Sequence, residues 1–121
     1  MRADQVHYTL QFDVAEGKGP EFASLVDKAN AIVQAEEPGT VVYRWQADPS
    51  GNSVQLHERF ADEAAMGVHM AGPAATEVFP ALMEISEVTR FDVHGDVGAE
   101  STEALTNFGA TIFSSWKGFD R

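Results

Sequence analysis

The chain has 121 residues, of which 44% are hydrophobic and 22% charged, a size and balance that suit one domain with a buried core. It contains no cysteine, which excludes disulfides, thiolate metal sites and cysteine nucleophiles. Eight Lys and Arg against nineteen Asp and Glu leave a formal charge of −11, and no basic cluster is present to meet a phosphate backbone or an anionic membrane.

Nucleic acid and membrane are therefore not expected as partners. The opening "MRADQVHYTLQF" alternates polar and apolar residues without the apolar core of a signal peptide. No apolar run approaches the roughly 18 residues of a membrane helix. A cytoplasmic protein is the expectation.

The first strand is expected over Val6 to Val14, with Val6, Tyr8, Leu10, Phe12 and Val14 on one face. "AEGKGP" breaks it, and Pro20 suits the first turn of a helix. From Glu21 to about Glu36 the apolar Phe22, Leu25, Val26, Ala29, Ile32 and Val33 keep helical spacing, until "EPGT" stops it. "TVVYRWQA" and "SVQLHERF" read as a hairpin through "DPSGN". Facing Asp48 with Ser53 pairs Ala47 with Val54, Trp45 with Leu56, Tyr43 with Glu58 and Val41 with Phe60. That register gathers the apolar residues on one face.

"ADEAAMGVHMAG" is expected to be a short helix with Asp62 as N-cap and Gly72-Pro73 at its end. A second helical piece, "AATEVFPALMEI", should be bent or divided by Pro80. The fourth strand falls within "SEVTRFDVHG". The order β-α-β-β-α-β predicts an α+β, ferredoxin-like domain over about residues 5–95. Residues 96–121 form a C-terminal extension with a short helix near Thr102 to Phe108. Its closing Ile112, Phe113, Trp116 and Phe119 suggest docking on this subunit or on a partner.

Two residues stand out chemically. Glu58 falls on an apolar strand face, where a carboxylate must find a partner or lose its charge. It is either a satisfied buried acid, bonded to Tyr43 or backbone amides, or a proton acceptor or orienting group for a histidine. His69 lies on or beside the helix stripe that meets the sheet, close enough to reach Tyr43, Trp45 and Glu58. Imidazole suits proton transfer near neutral pH, although a lone histidine of this kind is more often structural. Tyr43 and Trp45 share a face and serve as core or as a cavity wall for a flat molecule. The four histidines show no metal-ligand spacing, and no P-loop, GxGxxG or GxSxG motif is present.

"EEPGTVVYRWQADPSGNSVQLHERFADEAAMGVHMAGP", Glu36 to Pro73, resembles the antibiotic biosynthesis monooxygenase family. The matching elements are E-P-G-T before an aromatic-bearing strand, D-P, a strand ending E-R-F, then A-D-E-A-A and a histidine four residues after Ala65. The resemblance implies a ferredoxin-like protomer that dimerises sheet on sheet into a dimeric α/β barrel. His7, Gln11, Gln46 and His57 would then meet the partner. It further implies oxidation of a phenolic, quinol or polyketide-like aromatic by O2 without metal, flavin or other cofactor.

His69 matches the family's helix histidine and would act as proton acceptor or substrate anchor. Glu58 matches its strand glutamate and would support His69, with Tyr43, Trp45 and Phe60 binding substrate. Where many relatives carry Ser-Pro after the histidine, this chain has Gly72-Pro73. The haem-degrading branch is a poor fit, since the first strand lacks its asparagine and Phe60 ends the third strand. The alternatives are an isomerase of a small carbonyl or phosphorylated compound, for which Arg44 and Arg59 fall on the wrong face, and a non-catalytic dimeric ligand-binding protein.

Overall fold

The computed structural model describes residues 5–121; the first residues of the alternating N-terminus lie outside them. The elements in chain order are β1 (Val6–Val14), α1 (Gly19–Glu36), β2 (Thr40–Ala47), β3 (Ser53–Phe60), α2 (Glu63–Ala71), a π-helical turn (Ala74–Val78), α3 (Phe79–Glu84), β4 (Ser86–His94), α4 (Ala99–Asn107) and β5 (Thr111–Phe113). The sheet order is β2-β3-β1-β4-β5. The first four strands are antiparallel neighbours, and β5 adds to β4 in parallel. This is the expected ferredoxin-like α+β fold with an added edge strand.

The alternation in β1 sends Val6, Tyr8, Leu10 and Phe12 into the core, none of them more than 3% exposed. Phe22, Ala29 and Val33 of α1 are buried, the face their spacing marks. Pro20 sits in the first turn of α1, and the amide of Glu37 closes the helix by donating to the carbonyl of Val33. Asp62 caps α2 as expected, its Oδ1 accepting from the Ala65 amide at 2.8 Å.

The β2–β3 hairpin follows the expected register at Tyr43 with Glu58, Trp45 with Leu56 and Ala47 with Val54. At its far end the expectation fails. Thr40, not Val41, faces Phe60, because the register shifts between Thr40 and Val42, and Val41 is turned out to 51% exposure. A bulge of this kind leaves one residue unpaired and bends the strand.

Pro80 divides the second helical piece. Immediately before it the Phe79 amide donates to the carbonyl of Ala74, five residues back, and Pro80 itself has no amide to continue the ladder. The widened turn brings Ala74, Ala75 and Thr76 against an internal cavity. In the C-terminal extension the helix starts three residues earlier than expected, at Ala99. Leu105 of α4 is buried in the core.

Among the described residues the second face of the sheet carries no helix. Across it His7 lies between His57, with ring centroids 6.2 Å apart, and His94, at 5.6 Å. Gln55 donates to Gln11 at 3.1 Å, and Phe113 of β5 stacks on His94.

Candidate active site

Between the helices and the core face of the sheet lies a cavity of about 510 Å³, within the range of small-molecule sites. Strands supply Tyr8, Tyr43, Trp45 and Glu58, α2 supplies His69, and Phe108 just beyond α4 adds to the wall. Among the described residues no lysine or arginine lines it.

His69 is held between two carboxylates, on both ring nitrogens. Nδ1 stands 2.6 Å from Glu37 Oε1, and Nε2 stands 2.9 Å from Glu58 Oε1. Glu37, Glu58 and His69 are 4%, 2% and 6% exposed, so the charges meet with little water between them. The two contacts differ. Glu37 Oε1 is firmly bonded and also accepts from Thr40 Oγ1 at 3.0 Å. Glu58 Oε1 is close to Nε2 but makes no well-aligned hydrogen bond, which leaves acceptor capacity at the cavity wall. Because the carboxylates approach opposite sides of the ring, the three groups do not converge on one point. Among the described residues no group of three His, Asp or Glu is placed to hold a metal ion.

Burial alone would lower the pKa of His69, but the contact and charge of Glu58, then the charge and hydrogen bond of Glu37, outweigh it and raise it to about 9. The ring therefore carries its proton at neutral pH and is a donor, not an empty base. Tyr8 and Tyr43 are pushed the other way. Burial, then the charge of Glu58, raises both phenols well above the ordinary tyrosine value, so they remain neutral donors. Tyr8 Oη is buried without a hydrogen-bond partner. The Trp45 indole N–H approaches Tyr43 without completing a bond.

The structure thus brings Glu58, His69, Tyr43 and Trp45 to one cavity. Phe60, read in sequence as a substrate contact, is not on its wall. Fully buried, it packs edge-on to Tyr8, with ring centroids 4.9 Å apart, and stands 5.2 Å from the His69 ring. It backs the histidine and fixes its plane. Arg44 and Arg59 pair with His57 and His7 on the opposite face, as the alternation requires.

Two residues escaped the sequence reading. Tyr8 was visible only as one more apolar-face aromatic. Glu37 gave no local signal, since an acid between a helix end and a proline reads as solvated.

A ferredoxin-like sheet roofed by helices, with Glu58 and His69 on the wall of a largely apolar cavity, is the α+β architecture these elements build. The chain belongs to the antibiotic biosynthesis monooxygenase family, whose profile matches residues 6–81. No curated protein matches the sequence. Among solved structures the chain is similar to MupZ from Pseudomonas fluorescens at 17% identity and a TM-score of 0.81, over 97% of this chain and 94% of that one. It is also similar to SnoaB, a cofactor-independent oxygenase from Streptomyces nogalater, at 23% identity and a TM-score of 0.66, over 80% and 97% of the two chains. A conserved protein from Methanosarcina mazei Go1 matches at 18% identity and 0.65, over 78% and 95%. The likeness to MupZ leaves out almost none of this chain and so takes in α4 and β5. At such identities these likenesses speak for the fold.

Proposed function

We propose that the protein is a cofactor-independent monooxygenase that oxidises a hydroxylated aromatic, a quinol or polyketide-like phenol, with O2. It would work in the cytoplasm as a homodimer packed through the open sheet face that bears His7, Gln11, Gln46 and His57. The observation that carries this reading is the pair Glu58–His69 on the wall of a largely apolar cavity of about 510 Å³, with Glu37 behind the histidine. Family membership and the likeness to an oxygenase named as cofactor-independent add to it.

The protonation state of His69 distributes the roles. The substrate hydroxyl gives its proton to Glu58 Oε1, the acceptor with spare capacity, while the Nε2–H of His69 holds the resulting phenolate by a hydrogen bond. Tyr8 Oη, otherwise unpartnered, donates a hydrogen bond to a second oxygen of the substrate. Tyr43 and Trp45 hold the ring plane, and the largely apolar lining, covered further by the bound substrate, limits bulk water at the reacting centre.

The phenolate passes one electron to O2, and the radical pair joins to form a carbon–oxygen bond. The peroxide anion so formed takes back the proton held at Glu58 and becomes a hydroperoxide. Loss of the substrate's own C–H proton breaks the O–O bond and releases water, so a CH2 becomes a carbonyl with O2 as the sole oxidant.

A phosphorylated substrate suits the site poorly, since among the described residues no lysine or arginine lines the cavity and two acids flank His69. A purely structural role for His69 and Glu58 would leave the interior packed, whereas it is open. Oxygen uptake with a panel of anthrones and naphthohydroquinones tests the proposal. Turnover that the Glu58→Gln variant loses by about a hundredfold or more is the expected result, and uptake no faster than the buffer rate across the panel counts against it.

A further inference from the structure

A second, polar recess of about 480 Å³ lies on the far side of the trio Glu58–His69–Glu37. Asn30 and Gln34 of α1, Thr40 and Tyr43 of β2, and Glu37 itself line it. Glu37 borders this recess but not the substrate cavity, Glu58 and His69 border the cavity but not the recess, and Tyr43 stands in the wall between them. The trio therefore spans two compartments. Gln34 and Pro38 at the rim are exposed, so the recess is open to water.

Glu37 is unusual within this arrangement. One oxygen is fully engaged, by His69 Nδ1 at 2.6 Å and Thr40 Oγ1 at 3.0 Å. The other, Oε2, is buried and has no partner. It stands close against the end of α2, where a side chain at Gly72 would come within 3.4 Å of it. An unpartnered carboxylate oxygen at this depth costs free energy that a purely structural clamp would not need to retain.

We propose that Glu37 is a proton outlet, exchanging the protons of the buried His69–Glu58 couple with solvent through this recess while the substrate occupies the cavity. The use made of that proton rests on the oxygenase reading, but the route does not. When Glu58 takes a proton from the substrate, the imidazolium gives its Nδ1 proton to Glu37 Oε1, and the carboxylic acid so formed hands it to water in the recess. The trio keeps its charge while a proton leaves the site, and the ring need not turn over. When Glu58 returns its proton to the peroxide anion, Nδ1 is reprotonated from water along the same path. The charged and titratable groups facing His69 are Glu58 and Tyr43 from the hairpin and Glu37 from the end of α1. Of these, Glu37 both hydrogen-bonds the ring and borders the recess. It is a positioning and relay residue that acts through His69.

The test is the rate at which the His69 Nδ1 proton exchanges with water, measured by nitrogen-edited NMR on the full chain without ligand. Glu37→Gln keeps the shape and an acceptor for Nδ1–H but cannot take up the proton, so exchange should slow by about tenfold or more. Asn30→Phe, which fills the recess and leaves the cavity lining intact, should slow it too and decides the matter if Glu37→Gln does not fold. A clamp without relay function predicts unchanged or faster exchange in Glu37→Gln, since the ring would be held less tightly; that result overturns the proposal, as does wild-type exchange in Asn30→Phe. A protein that oxidises no quinol but shows both slowed rates keeps its proton outlet and loses only the oxygenase reading.

Discussion

Gly39 lies so close beneath Ala65 that a Cβ built on it would stand 2.6 Å from the alanine methyl. This contact sets the start of β2 against the helix that carries His69, and it gives a physical reason for the glycine of E-P-G-T and the small residues of A-D-E-A-A to occur in one sequence. The carbonyl of Gly39 also accepts from the Ala61 amide at 2.9 Å, which ties the same turn to the end of β3.

Gly39→Ala is therefore expected to destabilise the fold by about 1–3 kcal/mol through overpacking. Gly67, within α2, has open space where a Cβ would stand. Gly67→Ala should stabilise by about 0.5–1 kcal/mol through helix propensity. Urea unfolding of the two variants should show midpoints moving in opposite directions.

Removing the ring leaves two buried carboxylates without their shared cation. His69→Leu should cost about 3–5 kcal/mol at neutral pH, the range for breaking a buried pair from one side. Part of that loss should return in Glu58→Gln/His69→Leu, which removes one of the stranded charges. Equal stability of the single and double variants would mean the carboxylates do not sense each other.

The elevated pKa of His69 fixes the sign of a pH effect. The folded value of about 9 lies above the ordinary 6.5, so folding holds the proton more tightly than the unfolded chain does. The resulting stabilisation is complete below about pH 6.5, declines as pH rises, and is gone above about pH 9, amounting to about 3 kcal/mol in all. Denaturant unfolding at several pH values in this window, compared with His69→Leu as the reference, isolates this contribution.

His7 on the open face should behave oppositely. Burial, then the positive surroundings of His94, Arg59 and His57, holds its pKa below 6.5. The folded state resists its protonation, so stability should fall as pH drops through 6.5 and below. His7→Gln should flatten the acid side of the stability profile and leave the alkaline side unchanged.

The sequence pattern made some of these features readable and hid others. The hairpin register was legible at Tyr43–Glu58 and Trp45–Leu56 because a one-residue slip would have mixed the faces. It failed at Val41 because two adjacent valines give no sign of which one bulges. Asp62 announced the start of α2 through a local capping rule, and Pro80 marked the division of the following helix by its missing amide. Glu37 depends instead on a meeting with His69, 32 residues further on, and no local pattern encodes such a meeting. Phe60 was placed on the correct face, but alternation specifies a face and not a depth, so its position behind His69 rather than on the cavity wall could not be read. The three-residue β5 owes its existence to pairing with β4, which periodicity over so short a run does not reveal.

If His69 and Glu58 work together on a bound hydroxylated aromatic, O2 consumption with a cognate quinol separates wild type from Glu58→Gln and His69→Gln, each shown by NMR to be folded. Both variants should lose about a hundredfold or more in kcat while the quinol still binds. Wild-type turnover in a folded His69→Gln protein would contradict that joint role.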